Sequence, residues 1–369
     1  MMKRIAITGA EGFIGQHLRL LLEPYEAHGE VAIIPLARKD LDNVTLPRKI
    51  SGVDAIVHLA GMNRGTETEI FDTNMRLLRG LLTACDVAEV KPHVLFPSST
   101  HESRDSAYGR SKRDGAALLH EWAAKRAASA TSFVFPHVFG EFARPFHNSG
   151  IATMCHQLSK GEPSEVNEEG SFELLHARSA VARIWRAIVD AEAGHVPVPG
   201  ERISVPDAYR LLSRFAAVYR TGEFPRAAPG LEHQLFVTLH SVLMWETNPH
   251  LLTVRADARG SLFEGIRGEG EHQVFFSRTN PGIVRGNHYH ARKIERFCVL
   301  EGEAEIRLRR ILTDEVRTFT VRGDRPVAID MPTYWTHSLR NTGSGTLLTA
   351  FWTSEHYDPE DPDTFPAET

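Results

Sequence analysis

The chain has 369 residues, of which 42% are hydrophobic and 24% are charged, and its net charge is −5. These values are typical of a globular protein long enough for two domains, and they argue against a disordered chain and a nucleic-acid binder. Apolar runs are far shorter than a membrane span, and two basic residues lead directly into a strand pattern without a signal core. Cys85, Cys155 and Cys298 are too widely spaced for a disulfide framework or a zinc knuckle, so we expect a cytoplasmic protein.

The first 230 residues alternate short apolar runs with amphipathic segments such as 13–23 and 109–126. Apolar runs that are continuous rather than alternating are typical of strands buried on both faces of a parallel sheet. The pattern therefore predicts an α/β fold with a Rossmann-like doubly wound sheet. The five predicted strands are KRIAIT (3–8), VAIIPL (31–36), DAIVHLAG (54–61), HVLFPSS (93–99) and TSFVFP (131–136).

A different pattern follows a stretch with two prolines and two glycines at residues 222–230. LEHQLFVTLHSVLMW (231–245) predicts a helix that either joins two domains or packs between protomers. Beyond it, short strands separated by turns predict an antiparallel barrel or sandwich. These strands include HQVFFSR (272–278), RFCVLEGEAEIRLRR (296–310) and PVAIDMP (326–332). The predicted boundaries are an α/β domain at 1–230, a connecting helix at 231–250 and an all-β domain at 251–369.

The segment GAEGFIG follows the first predicted strand and opens the first helix, with glycines at positions 9, 12 and 15. Glycines there permit a tight turn and close approach of a pyrophosphate to the helix N-terminus. Glycines also serve plain helix–strand packing, but the strand–turn–helix context is the one that dinucleotide binding requires. The predicted cofactor contacts in this loop are Gly9, Gly12, Phe13, Ile14 and Gly15.

The second strand ends in LARKD, where folds that prefer NAD place an acid for the ribose hydroxyls. This chain instead has Arg38 and Lys39 near that position. An arginine can pair with a 2′-phosphate, so the sequence predicts NADPH as the cofactor, with Arg38 as its ligand. The alternative is that both cations are solvated loop charges.

Two serines, Ser98 and Ser99, close the fourth predicted strand, and YGRSK follows with Tyr108 and Lys112. Positions i and i+4 share one face of a helix, which places the ammonium beside the phenol. We expect the positive charge to lower the phenol pKa and prepare it for proton transfer. The alternative is a surface tyrosine and lysine on an amphipathic helix.

In order and spacing, GAEGFIG, DAIVHLAG, PSS (97–99) and YGRSK resemble the motifs of the extended short-chain dehydrogenase/reductase family. The resemblance covers about residues 1–220 and implies Ser99, Tyr108 and Lys112 as the catalytic set. Many members of this family act on nucleotide sugars.

The same resemblance implies that Leu59, Ala60 and Pro136 lie beside the cofactor, together with Tyr108 and Lys112. His137 stands where the family usually has asparagine. HARSAV (176–181) stands where the family usually has acids.

GIVRGNHYHARKIERFCVLEG (282–302) contains a pattern typical of a metal site. His288 and His290 share one side of a strand, and Glu295 on the next strand can reach the same point. A later segment adds His337. Such a set suits Zn(II), Fe(II), Mn(II) or Ni(II), and spacing does not select among them, although zinc is the first metal that we expect. The alternative is a pair of ordinary strand histidines.

This pattern resembles the cupin superfamily, whose fold is a jelly-roll barrel. RADARGSLFEGIR (255–267) and RGNHYH narrow the resemblance to the cupin epimerases of 4-keto nucleotide sugars. In that group the position of His288 can be the proton-abstracting base, a role that competes with metal ligation. Tyr334 replaces a glycine of the second cupin motif, and Tyr334 and Tyr289 are candidates for the opposing acid.

From GAEGFIG to the tail EHYDPEDPDTF, the chain resembles the CapF family, in which a reductase is fused to a cupin. The resemblance implies C3 epimerisation of a UDP-2-acetamido-2,6-dideoxy-4-hexulose by the cupin. Reduction of C4 by NADPH then gives UDP-N-acetyl-6-deoxy-L-talosamine. By analogy the expected assembly is a homodimer, with no nucleic acid or membrane partner.

Three alternatives to this function are open. In the first, the cupin is a structural or dimerising module whose metal contributes only to folding. In the second, it is an Fe(II) dioxygenase, which would need O₂. In the third, the reductase returns its hydride to the product, as an epimerase or dehydratase does.

Overall fold

The computed structural model describes residues 2–41, 44–252, 255–257, 260–262, 273–355 and 358–369. The chain forms two compact units, one of Met1–Thr153 with Glu168–Val205, and one of Met154–Asn167 with Pro206–Thr369. The second unit thus includes residues 206–250, which lie on the reductase side of the predicted domain boundaries or in the connecting helix. Among the described residues, no helix is long and apolar enough to cross a membrane.

The first unit is built on five strands that correspond to the predicted apolar runs and on four further strands. They are β1 (Lys3–Thr8), β2 (Val31–Leu36), β3 (Ala55–His58), β4 (His93–Ser99), β5 (Ala130–Phe135), β6 (His137–Phe139), β7 (Ser171–His176), β8 (Gly194–Pro197) and β9 (Glu201–Ser204). Six of them form a parallel sheet in the order β2-β1-β3-β4-β5-β8, and β6, β7 and β9 form a small second sheet.

Helices cover both faces of the six-stranded sheet, which confirms the predicted doubly wound fold. The helices of the chain are α1 (Phe13–Ala27), α2 (Arg38–Leu41), α3 (Leu46–Lys49), α4 (Glu67–Val87), α5 (Ala107–Arg126), α6 (Gly150–Lys160), α7 (Ala177–Val189), α8 (Val205–Arg220) and α9 (Leu231–Thr247), with a 3₁₀ helix at Thr100–Ser103. Along β1, Ala6 packs with α4 and α5, whereas Ile5 and Ile7 pack with α1 and α7. The strands are continuously apolar because both of their faces are buried.

The second unit contains the predicted antiparallel strands. They are β10 (His250–Leu251), β11 (Arg255–Asp257), β12 (Gly260–Leu262), β13 (Gln273–Thr279), β14 (Val284–Tyr289), β15 (Glu295–Glu301), β16 (Glu303–Arg310), β17 (Val316–Arg322), β18 (Val327–Met331), β19 (Trp335–Asn341), β20 (Leu347–Thr353) and β21 (Phe365–Pro366). Two five-stranded sheets, β10-β18-β15-β20-β13 and β17-β16-β19-β14-β21, enclose an apolar core. This arrangement confirms the all-β fold predicted for the C-terminal part.

The second unit also contains the predicted helix at 231–245 and part of the segment 255–267. The predicted helix at 231–245 is α9, and within the second unit its Trp245 packs against Trp335, with ring centroids 4.6 Å apart. The segment 255–267, which narrowed the resemblance to cupin epimerases, is described only as the β11–β12 hairpin. Its other residues lie outside the described part of the chain.

Candidate active sites

The turn between β1 and α1 packs so tightly against the first turn of α1 that only glycine fits at one position in each. Gly9 has a φ of +66°, and a Cβ atom there would lie 2.8 Å from the backbone nitrogen of Ala60. A Cβ atom at Gly15 would overlap the carbonyl oxygen of Gly9. Because Gly12 at the N-cap has no side chain, the first-turn N–H groups at Phe13 and Ile14 suit an anion such as a pyrophosphate.

The segment after β3 packs against the same turn. The Ala60 N–H donates to Thr8 Oγ1 at 3.0 Å, and the Leu59 N–H donates to the Thr8 carbonyl at 3.2 Å. Leu59 and Ala60 are half-buried. They follow the carboxyl end of β3, beside the carboxyl end of the parallel strand β1, which is where α/β sheets bind dinucleotides. The residues present therefore fit the predicted cofactor.

The cations after β2 are exposed, and the acid beside them is not. Arg38 and Lys39 face solvent, whereas Asp40 is buried. The Asp40 carboxylate accepts hydrogen bonds from Lys49 Nζ at 2.6 Å and from the Ala37 N–H at 2.8 Å. The Lys49 ammonium, followed by the Ala37 N–H, holds the pKa of Asp40 below its ordinary value. Asp40 is therefore engaged within the protein, and positive charge faces solvent at this edge of the sheet.

The predicted catalytic residues of the first unit lie at the carboxyl end of β4, which is Ser99, and at the start of α5, which carries Tyr108 and Lys112. Lys112 Nζ donates to the Pro97 carbonyl at 2.7 Å and lies 5.6 Å from the centroid of the Tyr108 ring. Ser99 Oγ accepts a hydrogen bond from the His101 N–H at 3.2 Å. Ser106 caps α5 through the Gly109 N–H, which sets where the helix begins.

The pKa of Tyr108 differs from the sequence-based expectation. Burial raises the pKa of Tyr108 to about 12 and lowers the pKa of Lys112 to about 8. The predicted net lowering of the phenol pKa is wrong, because the desolvation of the phenol dominates. At neutral pH the phenol keeps its proton and the lysine keeps its charge.

Two histidines to which sequence analysis assigned no catalytic role lie in this region, His101 beside Tyr108 and His137 close to His101. The His101 ring points edge-on at the Tyr108 ring, with centroids 6.1 Å apart. His137 follows the buried Pro136, and burial followed by the proximity of His101 lowers its pKa. The letters HES after the serines form no motif, and only the fold brings His101 and His137 together.

In the second unit the structure brings together the four predicted metal ligands. One ligand atom from each of His288, His290, Glu295 and His337 lies within 4.8 Å of the others. His288 on β14 is directly opposite His337 on β19, whereas Glu295 begins β15 in the other sheet. The cluster therefore lies between the two sheets.

One carboxylate of this cluster contacts two of its three histidines. Glu295 Oε2 lies 3.4 Å from His290 Nε2 and 3.3 Å from His337 Nε2. Burial raises the pKa of Glu295, but these two imidazoles overcome that effect and hold the pKa well below its ordinary value. Burial, followed by the neighbouring His337 and His290, lowers the pKa of His288 to about 4.

Unpaired donor atoms in the cluster fit a divalent cation. The Nε2 atoms of His290 and His337 are buried and make no hydrogen bond to any described residue. Buried polar atoms are normally satisfied, so orphaned nitrogens facing a carboxylate are the pattern that a metal would complete.

A cavity of about 520 Å³ opens beside the cluster. It is lined by Phe275, Phe276, Ser277, Arg278, Arg285, Gly286, His288, Glu295, Phe297, His337, Leu339 and Phe351. Tyr289 and Tyr334, the candidate acids, are both buried and are not among these lining residues. Tyr289 follows His288 directly on β14, so the two side chains point to opposite sides of the strand. The Tyr289 ring stacks on Phe365.

Two family models match the chain. The NAD dependent epimerase/dehydratase family matches residues 5–199, and the polysaccharide biosynthesis C-terminal domain matches residues 255–365. A curated relative, the UDP-2-acetamido-2,6-beta-L-arabino-hexul-4-ose reductase of Pseudomonas aeruginosa, is 29% identical over 367 residues, which cover 98% of each chain.

Solved structures show the same relationship. The capsular polysaccharide assembling protein CapF of Staphylococcus aureus is 30% identical, with a TM-score of 0.62, covering 99% of this chain and 100% of that one. The UDP-glucose 4-epimerase of Thermotoga maritima, at 18% identity and a TM-score of 0.54, covers 64% of this chain and 98% of that one. At that identity the similarity concerns the fold alone.

Proposed function

Because the chain belongs to the NAD-dependent epimerase/dehydratase family and, over nearly its whole length, to the CapF family, we propose that it is a bifunctional nucleotide-sugar enzyme. The barrel epimerises C3 of a UDP-2-acetamido-2,6-dideoxy-4-hexulose. The N-terminal unit then reduces the C4 ketone with NADPH to UDP-N-acetyl-6-deoxy-L-talosamine, for capsule or O-antigen synthesis. The observation that carries the proposal is the presence of two chemically different sites in one chain, together with end-to-end similarity to a reductase of such a sugar.

The reductase step needs an acid beside the ketone oxygen. NADPH would be held by the glycine loop with its nicotinamide near Pro136, and it would supply the hydride for the carbonyl carbon. Tyr108 gives its proton to the oxygen, and Ser99 donates a hydrogen bond to that oxygen, so one NADPH and one proton are consumed. Lys112 holds positive charge near the phenol after it has lost its proton. Arg38 recognises the 2′-phosphate that distinguishes NADPH from NADH.

The epimerase step begins with the acidic proton on the carbon next to the ketone. We assign its removal to His288, the half-buried histidine of the cluster that lines the cavity and is neutral at pH 7. His290, Glu295 and His337 would hold a divalent metal, with zinc as the first expectation, and the metal would supply Lewis-acid chemistry at the ketone oxygen. A second acid then returns a proton to C3 from the opposite face, which inverts that carbon.

The test is solvent exchange by the full-length protein. The enzyme is incubated in D₂O with the UDP-4-keto sugar and without NADPH, and loss of the C3 proton is followed by NMR. We expect exchange in the wild type and none in His288→Asn, with metal content retained if His288 is the base. His147→Asn, at an exposed histidine, is the matched control and keeps the wild-type rate.

The other outcomes separate the remaining functions. Absence of exchange in the folded wild-type enzyme would reduce the function to an NADPH-dependent sugar-nucleotide reductase with a structural cupin. Consumption of O₂ would indicate a dioxygenase. Turnover without net NADPH oxidation would indicate that the first unit returns its hydride to the product.

A further inference from the structure

The C-terminal residues 361–366, here called the strap, lie across the segment that carries His290 into the metal cluster. That segment, residues 290–294, joins β14 to β15 and is here called the ligand loop. Within the strap, β21 pairs with β14, and Phe365 stacks on Tyr289 with ring centroids 5.2 Å apart. The strap therefore contacts the strand that bears His288 as well as the loop that follows it.

Asp363 is the residue of the strap that binds the ligand loop most closely. Its carboxylate accepts hydrogen bonds from three consecutive backbone N–H groups, those of Ala291 at 3.2 Å, Arg292 at 2.9 Å and Lys293 at 2.7 Å. Asp363 is only 6% exposed, so these bonds are shielded from water. A single carboxylate thus holds three consecutive residues of the ligand loop in place.

The backbone of Asp363 acts on the imidazole itself. Its carbonyl oxygen lies 2.5 Å from Nδ1 of His290. A carbonyl can only accept, so Nδ1 carries the hydrogen and the lone pair resides on Nε2. That Nε2 atom is the one 3.4 Å from Glu295 and without a hydrogen-bond partner among the described residues.

We propose that Asp363 is a positioning residue of the metal centre, which orients His290 through its carbonyl and holds the ligand loop through its carboxylate. The C-terminal strap is then a working part of the site, although it contributes no ligand. Partners that orient a metal-binding histidine typically change metal affinity by 10- to 100-fold when they are lost. This inference rests on the proposed metal site of the epimerase.

The test measures metal affinity in the full-length protein, independently of turnover. Zn²⁺ dissociation constants are obtained by competition with a chromophoric chelator, and Co²⁺ absorption spectra report the coordination geometry. Asp363→Ala removes the carboxylate and keeps the backbone carbonyl, so the ligand loop is released and that carbonyl no longer holds His290 in a fixed position. We expect Zn²⁺ binding to weaken by about 10- to 100-fold and the Co²⁺ spectrum to change. Asp363→Asn keeps a side-chain acceptor and tolerates the φ of +43° at this position, so we expect a smaller loss.

Asp361→Ala is the matched control on the same strap. Asp361 pairs with Arg292 at 2.9 Å on the surface, and Arg292 keeps its bonds to Glu355 without it. We expect Zn²⁺ affinity within about twofold of the wild type, as for most surface ion pairs. Should Asp363→Ala fail to fold, Asp363→Asn is compared with Asp361→Ala, and equal affinities would overturn the proposal.

A folded Asp363→Ala variant with wild-type affinity and spectrum would also overturn the role of the strap while leaving the metal site intact. A wild-type protein that binds neither Zn²⁺ nor Co²⁺ would instead contradict the metal site proposed for the epimerase. The two failures are therefore distinguishable.

Discussion

The proton held by Tyr108 agrees with the direction of the reaction proposed for the first unit. A reductase needs an acid at the ketone oxygen, and burial raises the pKa of this phenol to about 12, so the proton is present at neutral pH. Burial lowers the pKa of Lys112 to about 8, which still leaves its ammonium charged at pH 7. That charge favours the phenolate at the moment when the proton leaves. The residues are therefore in the protonation states that ketone reduction requires.

Gly9→Ala adds one methyl group to the glycine loop and tests whether the loop binds NADPH. The new Cβ atom would meet Ala60 at 2.8 Å, so the turn must move and NADPH affinity should fall at least about tenfold. Gly29→Ala is the matched control, because Gly29 has a similar φ of +72° with nothing within 4 Å of the added methyl. It should cost about 1–2 kcal/mol of stability and leave NADPH affinity unchanged. Fluorescence titration and thermal unfolding measure both, and equal NADPH affinity in the two variants would contradict the prediction.

At the scale of elements, a buried ion pair joins β15 to β18 in the second unit. Arg296 Nε lies 2.6 Å from Asp330 Oδ1, and both side chains are almost fully buried. Tyr219 of α8 donates to the same carboxylate, and Arg296 also donates to the Gly222 carbonyl at 2.8 Å. Within this unit, the pair thereby connects the end of α8 to the sheet that contains β15 and β18.

Asp330→Ala should be strongly destabilising, because it leaves the Arg296 cation buried without its counter-ion. The expected loss is about 3–5 kcal/mol in the unfolding free energy of the second unit. Asp324→Ala is the control, since its pair with Arg322 is exposed and should contribute less than about 1 kcal/mol. Denaturant titrations followed by tryptophan fluorescence measure both, since Trp352 stacks on Phe224 beside Arg296. A small loss for Asp330→Ala, similar to that of the control, would contradict the argument.

The sequence predicts an element or a contact when the residues that encode it are close together along the chain. The run KRIAIT predicts β1 because burial on both faces leaves a local trace, and the spacing of His288, His290 and Glu295 follows from strand geometry. The bonds from Asp363 to the ligand loop join residues about seventy positions apart, and no local pattern encodes them. The pKa of Tyr108 likewise depends on burial, which the YxxxK spacing does not report.

At the scale of the whole molecule, the residues assigned to each of the two proposed reactions lie within one compact unit. Tyr108 and Lys112 belong to the first unit, and the four-residue metal cluster belongs to the second. One sugar that undergoes both reactions would give a reason for joining them in a single chain. Because the two sets of residues lie in different units, a single substitution or the removal of metal should abolish one activity and leave the other.

Tyr108→Phe and metal removal should therefore have opposite effects. Tyr108→Phe removes only the proton donor, so NADPH oxidation should fall about 10²- to 10⁴-fold while exchange of the C3 proton in D₂O continues at the wild-type rate. Removal of metal with a chelator should abolish exchange, yet leave NADPH oxidation intact when the already epimerised 4-keto sugar is supplied. NADPH absorbance and NMR exchange, recorded on the same samples, measure both reactions. If Tyr108→Phe also stopped exchange, or if the chelator stopped reduction of the epimerised sugar, the two sites would not be chemically independent, and the assignment of one reaction to each unit would have to be abandoned.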